Sequence, residues 1–523
     1  MTAALLAAAA LVTAPGPQLL DLRVTNGSAP FAGDGAQLTT VSPNNDGFRD
    51  VAVVHFRLTR SAVVRLAVVA TNMVSAGKGG TTVVWQASRR FEAGKRSFTW
   101  RPSPTTQPRT YILRLRVGRR VYGTYGPGGR QDAPVVRIQG IDAGFTKRSY
   151  APGEAAVVQL STDARSLRLQ VFAYQSPGRP SEQDVKTSGL AKTDAIRVDW
   201  SGHRDRPGLL RVVRAGDWPS GLYFLRVTAA DRRVGYAPFI VKPRRLGTHH
   251  VAVVLATHTW AAYNFEDADG DGWGDSWYVT ARHRSVDLQR PFLDFGVPFR
   301  FHDWDLDFIA WLNRHGDTTD FLSDDDLDAV SSGAELAQRY DLVVFPGHEE
   351  YVTPHAYDVI ERYRNLGGNL VFLAANNLYR RVDSVGGWLV RRATWRALGR
   401  PEASVVGVQY VGSDQGQRQA GYTVVGRTSD LWAFDGTGLA DGDLFGRYGI
   451  EIDARTAASP PGTRVLARIP DLLGAGRSAE MTYYETAAGA KVFAAGALNF
   501  GASLGRPEVD RLLTNVWARL SRP

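Results

Sequence analysis

The sequence predicts a multidomain protein in which two all-β sandwiches precede an α/β domain of three layers with a mostly parallel sheet. Its 523 residues exceed what one hydrophobic core supports, because domains hold ~100–200 residues each. Up to residue 243, short apolar runs alternate with Gly, Pro and Asn, whereas longer apolar runs and helical spacing follow Arg244. We therefore predict a leader at 1–17, sandwiches at 18–125 and 131–243, and the α/β domain at 248–523.

The first residues resemble a secretory signal peptide. Residues 1–12 are almost entirely Ala, Leu and Val, and small residues precede Pro15 as at a cleavage site. This run is shorter than the ~20 apolar residues that span a bilayer, and no later stretch is long enough. We expect a secreted or cell-surface protein without a membrane span. A plain N-terminal helix is the alternative, because the usual basic residues before the apolar run are missing.

Composition excludes several kinds of chemistry. The chain has no cysteine, which rules out disulfides, thiolate metal sites and cysteine nucleophiles. Its 62 basic and 52 acidic residues give a net charge of +10. The basic residues are scattered, and at 113–117 they alternate with apolar ones, as on the solvent face of a strand. No basic helix or known binding motif occurs, so we expect no nucleic-acid partner.

The first sandwich is predicted from strand patterns at 51–58, 62–69 and 111–117, separated by turn residues. Before the first of these strands, residues 42–47 read Ser-Pro-Asn-Asn-Asp-Gly, which resembles a signature of bacterial Ig-like modules. Asn, Asp and Gly tolerate left-handed backbone and bond their own main chain. We interpret this stretch as a tight turn, with a bound cation as the alternative.

The second sandwich follows a Gly- and Pro-rich linker at 125–130. Its candidate strands include 135–138, 156–160, 167–172 and 223–227. Neither predicted sandwich shows a residue cluster suited to catalysis. Both are interpreted as Ig-like spacers or binding modules.

The α/β domain is predicted from continuous apolar runs at 251–256, 342–345 and 369–373, as in strands covered on both faces. Residues 356–366 have helical spacing, and a last strand at 491–496 precedes a helix at 507–520. This succession indicates right-handed parallel crossovers in a flavodoxin- or amidotransferase-like sheet. An amidotransferase reaction would need a cysteine at a strand end, and the chain has none.

Polar stretches follow these strands, where parallel sheets gather their functional loops. They form an ordered set: Thr259-Trp260-Ala261-Ala262-Tyr263-Asn264, Arg290-Pro291, Gly347-His348-Glu349-Glu350-Tyr351, Asn376 with Tyr379, Tyr483-Tyr484-Glu485 and Phe493-Ala494-Ala495-Gly496. This succession resembles the C-terminal domain of the N,N-dimethylformamidase large (beta) subunit. The resemblance covers about half of the chain.

The resemblance implies a mononuclear iron site, because the amidase of that family hydrolyses a small formamide with iron held by two tyrosines and one glutamate. It implies Tyr263, Tyr278 and Glu350 as ligands, with polar catalytic residues around the metal: His348, Asn376 and Glu485. Phenolate and carboxylate are hard oxygen donors that suit Fe(III). His348 or Glu485 would carry a proton to the leaving amine. The alternative is that the tyrosines are core residues and that Glu350 caps a helix near Thr353.

A second cation site is predicted without the family. Carboxylates occupy positions one, three, five and nine of a calcium-like loop: Asp267, Asp269, Asp271 and Asp275. Gly272 stands at position six, but position twelve is Tyr278 where such loops carry a glutamate. We expect calcium here, with a solvated acidic turn as the alternative.

We therefore expect a secreted, metal-dependent hydrolase of a small amide C–N bond. The family resemblance leaves open a homo-oligomer or a small partner subunit. The alternative function is a non-catalytic extracytoplasmic ligand-binding or surface-attachment protein, in which calcium stabilises the α/β domain.

Overall fold

The computed structural model describes the chain except for its first 15 residues, its last residue and several internal segments. The described ranges are 16–35, 37–71, 81–123, 134–174, 189–270, 274–278, 282–292, 296–425 and 428–522. The leader up to residue 15, the linker at 125–130 and Asp271 therefore lie outside the described residues. The chain divides into two compact units: unit 1 holds residues 1–139 and 267–273, and unit 2 holds residues 140–266 and 274–523.

Unit 1 is a β-sandwich. Its strands are β1 (Leu19–Thr25), β2 (Leu38–Val41), β3 (Ala52–Leu58), β4 (Ala62–Thr71), β5 (Thr81–Phe91), β6 (Gly94–Trp100), β7 (Thr110–Val117), β8 (Arg120–Tyr122) and β9 (Val135–Ile138). One sheet has the order β1-β3-β6, and the other β2-β9-β7-β4-β5. Alternate residues of both sheets, such as Phe56, Leu66 and Leu113, fill one core, as period-two patterning requires.

The Asn-Asp-Gly stretch of unit 1 forms a turn closed by the buried Asp50. Its carboxylate accepts hydrogen bonds from the amides of Asn45 (2.8 Å) and Gly47 (2.7 Å). Asn45 and Gly47 have φ values of 63° and 84°, in the left-handed region that these residue types tolerate. The motif thus has a local use in backbone hydrogen bonding.

Unit 2 begins with a second sandwich. Its strands are β10 (Asp142–Phe145), β11 (Ser149–Tyr150), β12 (Ala155–Ser161), β13 (Ser166–Tyr174), β14 (Gly189–Ala191), β15 (Ile196–Asp199), β16 (Gly208–Arg214), β17 (Gly221–Ala229) and β18 (Val234–Val241). One sheet has the order β10-β12-β16, and the other β11-β18-β17-β13-β14. The second sheet buries residues on both faces. Phe172, Phe224 and Tyr236 point away from the sandwich core into the core of the region that follows.

The rest of unit 2 is built around a large sheet. The strands of this region, which also form two smaller sheets, are β19 (Val251–Leu255), β20 (Ser285–Asp287), β21 (Asp320–Ser323), β22 (Leu342–Phe345), β23 (Tyr351–Val352), β24 (Asn369–Phe372), β25 (Arg380–Val385), β26 (Trp388–Thr394), β27 (Gln409–Ser413), β28 (Gln419–Val424), β29 (Leu444–Gly449), β30 (Glu451–Ala454), β31 (Arg464–Ile469), β32 (Ala479–Glu485) and β33 (Lys491–Ala494). Its helices are α1 (Thr257–Ala262), α2 (Asp307–His315), α3 (Asp324–Asp328), α4 (Gly333–Arg339), α5 (Pro354–Asn365), α6 (Ala403–Val406) and α7 (Pro507–Leu520).

The helix ends follow the local sequence. Thr353 accepts a hydrogen bond from the Ala356 amide and Pro354 occupies the first turn, so α5 begins at Pro354. Ser323 and Asp326 form a reciprocal capping box at the start of α3. The acidic run after Ser323 is thus a helix start.

The predicted fold class, an α/β domain of three layers with a mostly parallel sheet, is wrong. Within the described residues, the large sheet has the order β21-β19-β22-β24-β33-β32-β31-β28-β29. Pairing is parallel from β21 to β33, but it is antiparallel from β33 through β29, so half of this sheet is antiparallel. The longest helices, α5 and α7, have only 12 and 14 residues, and the described chain is mainly β.

The physical reason for this error is that continuous apolar runs reveal only strands buried on both faces. β28 has a mixed burial pattern and lies far along the chain from its partners, so its pairing leaves little trace in the local sequence. One face of the large sheet is also covered partly by the aromatic side chains of the second sandwich. No helix among the described residues combines the length and apolar character that crossing a bilayer requires.

Candidate functional site

The candidate site lies in unit 2, where separate chain segments bring buried polar side chains together. Tyr263 follows α1, Glu350 lies between β22 and β23, Asn376 follows β24, and Glu451 begins β30. All four are buried, with at most 6% of any residue exposed. Buried polar groups of this kind need partners, and here they are largely each other's partners.

Direct contacts join these side chains into one cluster. The Tyr263 hydroxyl donates a short hydrogen bond to Oε2 of Glu350. Nε2 of His348 lies 3.7 Å from that oxygen and 3.6 Å from Oε2 of Glu451. Nδ2 of Asn376 donates to the same Glu451 oxygen at 2.8 Å. A phenol, an imidazole, an amide and two carboxyl groups therefore meet around one point.

Aromatic rings surround the cluster. Tyr278 packs edge-on against Tyr263, with ring centroids 5.1 Å apart, and its buried hydroxyl has no hydrogen-bond partner among the described residues. The Trp304 ring lies 5.2 Å from the His348 ring and 6.2 Å from the Tyr263 ring. These rings exclude water from His348, neither of whose ring nitrogens has a hydrogen bond within the described part of the chain.

The cluster opens into a cavity of about 280 Å³. The residues that line it come from several separate segments of the chain: Tyr263, Trp277, Tyr278, Glu350, Tyr351, Arg380, Arg391, Tyr410, Ser413, Gln415 and Glu451. This volume is just below the roughly 300–1,000 Å³ of typical small-molecule sites. The cavity therefore suits a small ligand.

Burial controls the charge of the cluster. Burial raises the pKa of Glu350 to about 7, and burial together with the neighbouring Glu350 raises the pKa of Glu451 well above its usual range. Burial also lowers the pKa of His348 to about 3, so its imidazole is neutral at physiological pH. The cluster is therefore rich in oxygen and nitrogen donors and has no cationic histidine to neutralise its carboxylates.

Backbone geometry fixes the position of these groups. Asn376 has a φ of 59°, a left-handed conformation that asparagine tolerates better than most residues. Its amide N–H lies 2.9 Å from both carboxylate oxygens of the buried Asp453. The Glu350 amide donates to Oγ1 of Thr259 at 3.2 Å. The two donor-bearing loops are thus held by hydrogen bonds from neighbouring segments.

A second group of buried polar residues lies beside Glu349. The buried Asp324 accepts hydrogen bonds from the His258 amide (2.6 Å) and the Thr257 hydroxyl (3.0 Å). Burial would lower the pKa of His258, but Asp324 and Asp325 raise it to about 9. His258 is therefore charged and stabilises the loop that follows β19.

The structure brings together Tyr263, Tyr278, Glu350, His348 and Asn376, which the sequence had marked. Glu485 lies elsewhere, at the exposed end of β32. It accepts a hydrogen bond from Tyr483 and pairs with Arg519 at 3.3 Å, and it does not line the cavity.

Sequence reasoning missed Glu451 and Asp453. They alternate with Ile450 and Ile452, so both acids face the same side of β30. That alternation within a short apolar stretch was the available signal. Arg380 and Arg391, which also line the cavity, were missed as well.

The calcium loop stays a prediction. Asp267 and Asp269 belong to unit 1, Asp275 belongs to unit 2, and Asp271 lies outside the described residues. The buried Asp275 has protein partners, since its carboxylate is 3.0 Å from Nε2 of His283 and 3.8 Å from Nη1 of Arg290.

Comparisons with known proteins point to one family. Residues 191–511 match the model of a family described as N,N-dimethylformamidase beta subunit-like, C-terminal. The N,N-dimethylformamidase beta subunit of Alcaligenes sp is 40% identical over 79 residues, and that of Paracoccus aminophilus is 39% identical over 75 residues. These segments cover 15% and 14% of this chain, and the chain spans 10% of each relative's length. Among solved structures, Escherichia coli alpha-2-macroglobulin activated by porcine elastase aligns with 44% of this chain and 20% of its own, with 11% identity and a TM-score of 0.17.

Proposed function

This chain belongs to the N,N-dimethylformamidase beta subunit-like family, and on that premise we propose that it hydrolyses the C–N bond of a small amide with a bound metal ion. The observation that carries the proposal is the contact of Tyr263, Glu350, His348 and Glu451 in one buried cluster, three of whose members line the cavity. Polar groups gathered in a dry, concave site are typical of active sites.

The residues fit a hard cation. Tyr263 and Glu350 supply a phenol and a carboxylate in contact, and the buried Tyr278 hydroxyl beside them lacks a partner among the described residues. Oxygen donors of this type suit Fe(III), so Tyr263, Tyr278 and Glu350 are the proposed iron ligands. Bound iron would supply the Lewis acidity that polarises an amide carbonyl.

The chain's own residues handle orientation and protons. Neutral His348 accepts a proton at a ring nitrogen and passes it to the leaving amine. Glu451, held by Asn376, lies 3.6 Å from Nε2 of His348 and would stabilise the imidazolium once it has lost its own proton. Tyr278 and Trp304 keep bulk water away from these groups.

Elemental analysis of the purified chain tests the proposal most directly. We expect about one transition-metal ion per chain, lost in Glu350→Ala and reduced in Tyr263→Phe. Glu485→Gln is the matched control, because this carboxylate lies outside the cavity and should leave the metal content unchanged. Amine release from small amides should follow the metal content. Metal-free protein in every preparation, with no metal-induced thermal shift, would refute the proposal.

The position of Glu485 favours a second candidate function. This implied catalytic residue contacts Tyr483 and Arg519 and not the Tyr263–Glu350 cluster, which suits a ligand-binding protein without turnover. A chain that retains metal and binds small amides but releases no amine would support this candidate over the hydrolase.

Location, calcium and partners are separate proposals. We propose an exported protein with a calcium-bound loop at Asp267–Asp275. The relatives are named as beta subunits, and by analogy we propose that a small subunit or a second copy accompanies this chain. N-terminal sequencing of exported protein, calcium titration and light scattering test these points in turn.

A further inference from the structure

We propose that Arg380 and Arg391 form an anion subsite in the cavity, which selects small amides that carry a carboxylate group. The amide part of this proposal rests on the proposed function. The carboxylate part rests on the arginines alone and can be tested without turnover.

Strand pairing places both arginines on the cavity wall. Arg380 begins β25 and pairs with Tyr351 in the parallel neighbour β23, directly after Glu350. Arg391 lies on β26 and pairs with Val382 of β25. Val382 is two residues after Arg380 on the same strand. Both residues line the cavity that also contains Glu350 and Tyr351, and both of their charges act on the Glu350 carboxyl group. Two guanidinium groups thus reach the same small volume as the reactive cluster.

Each arginine lies against an aromatic ring. The Arg380 guanidinium carbon is 5.4 Å from the Tyr379 ring centroid, and Nη1 of Arg380 donates to the Arg392 carbonyl at 2.9 Å. The Arg391 guanidinium carbon is 5.5 Å from the Trp277 ring centroid. The Tyr379 ring and the Arg392 carbonyl thus hold the Arg380 guanidinium group in place.

The neighbouring arginines on the same hairpin differ from Arg380 in their ion pairing. Arg392 and Arg381 both pair with Asp383, at 2.7 and 3.1 Å. Arg380 has no salt bridge with any residue in the described part of the chain. The hairpin therefore supplies an acid to Arg392 and Arg381, whereas Arg380 has no such ion pair and its charge acts on the Glu350 carboxyl group of the same cavity.

Uncharged hydrogen-bonding groups also line the cavity. Ser413 pairs with Glu451 across β27 and β30, and Ser413, Gln415 and Tyr410 line the cavity. A planar carboxylate accepts paired hydrogen bonds from a guanidinium group, and hydroxyl or amide groups can bind its outer lone pairs. A ligand with a carboxylate here would direct its other end toward Tyr263 and Glu350.

A matched pair of probes tests the subsite on the full chain. N-acetylglycine carries a carboxylate, and N-acetylglycinamide replaces it with a neutral amide of similar size. We expect calorimetry to show at least about tenfold tighter binding of N-acetylglycine, because charge-assisted hydrogen bonds are worth about this factor or more. Equal affinities for the two probes would overturn the proposal.

Variants assign the preference to the cavity arginines. We expect Arg380→Gln and, independently, Arg391→Gln to reduce the preference about tenfold, and Arg380→Lys to retain part of it. Arg392→Gln removes a nearby positive charge outside the cavity and should leave the preference unchanged. An equal loss in Arg392→Gln would show a general charge effect and overturn the subsite.

Turnover separates this inference from the proposed function. In Glu350→Ala, amide hydrolysis should disappear while the preference for N-acetylglycine persists. Hydrolysis without any carboxylate preference would refute the subsite alone. A carboxylate preference without hydrolysis under any metal condition would refute the hydrolase and leave the subsite standing.

Discussion

At the scale of single residues, His348 shows how burial changes the chemistry of the cluster. It lies between Glu350 and Glu451, but burial lowers its pKa to about 3, so it cannot neutralise them as a cation. The carboxyl groups must therefore hold protons or a bound cation. Any metal that binds here must displace protons, including the one between Tyr263 and Glu350.

Metal binding should weaken as the pH falls. Burial raises the pKa of Glu350 to about 7, so the carboxylate that a metal needs is present above that pH and is protonated below it. We expect the thermal shift produced by iron to shrink markedly from about pH 8 to about pH 6. Glu350→Gln should show little shift at either pH, and Glu485→Gln should behave like the unchanged chain. A shift that does not vary with pH would contradict this assignment.

The site residues that the sequence predicted correctly to lie together share their position next to apolar runs. Tyr263, His348, Glu350 and Asn376 stand in or directly after apolar runs, so each is recognisable from its local surroundings. Glu451 differs, because only the pairing of β30 with β27 and its contact with Asn376 bring it to the site. Long-range pairing of this kind is not encoded in the spacing of nearby residues.

At the scale of elements, the local sequence predicts the parallel half of the large sheet better than the antiparallel half. β19, β22 and β24 are buried on both faces, and their continuous apolar runs predicted parallel pairing correctly. The continuation through β31 and β28 is antiparallel and only partly buried. Such strands resemble those of the sandwiches in sequence, so the sheet's overall class could not be inferred from them.

The loop between β22 and β23 depends on close packing at Gly347. A Cβ atom there would lie 2.5 Å from Oδ1 of Asp305, whose other carboxylate oxygen accepts from Trp260 at 3.3 Å. We expect Gly347→Ala to displace the loop that carries Glu350 and to lower metal content several-fold, with a loss of about 1–3 kcal/mol in the free energy of unfolding.

The control for this prediction is Gly505→Ala, since an added Cβ at Gly505 has no heavy atom within 4 Å. Metal analysis and urea denaturation measure both variants. Equal metal content in Gly347→Ala and the unchanged chain would show that the loop tolerates the displacement.

At the scale of the whole molecule, the chain divides into two compact units that each have their own core. The second sandwich is not a separate spacer, because Phe172 and Phe224 of its outer face lie in the same core as β19 and β22. The sequence predicted strands there but did not indicate that one face of their sheet packs against a later region. Which face of a sheet receives a later domain is decided by tertiary packing.

Unfolding should therefore show two transitions that respond to different substitutions. Phe224→Ala in unit 2 and Trp100→Ala in unit 1 each remove a large ring that is at most 2% exposed, with an expected loss of about 3–5 kcal/mol. In calorimetry, each variant should lower one transition and leave the other near its original temperature. A single transition lowered by both variants would contradict independent cores.

The wide separation of the site residues along the chain also bears on biosynthesis. Tyr263 emerges from the ribosome well before Glu350, and Glu451 emerges later still. A nascent chain holds only part of the donor set and cannot capture an ion tightly. On the proposed function, the complete site can form only after Glu451 has emerged, so metal loading would come late in synthesis or after it.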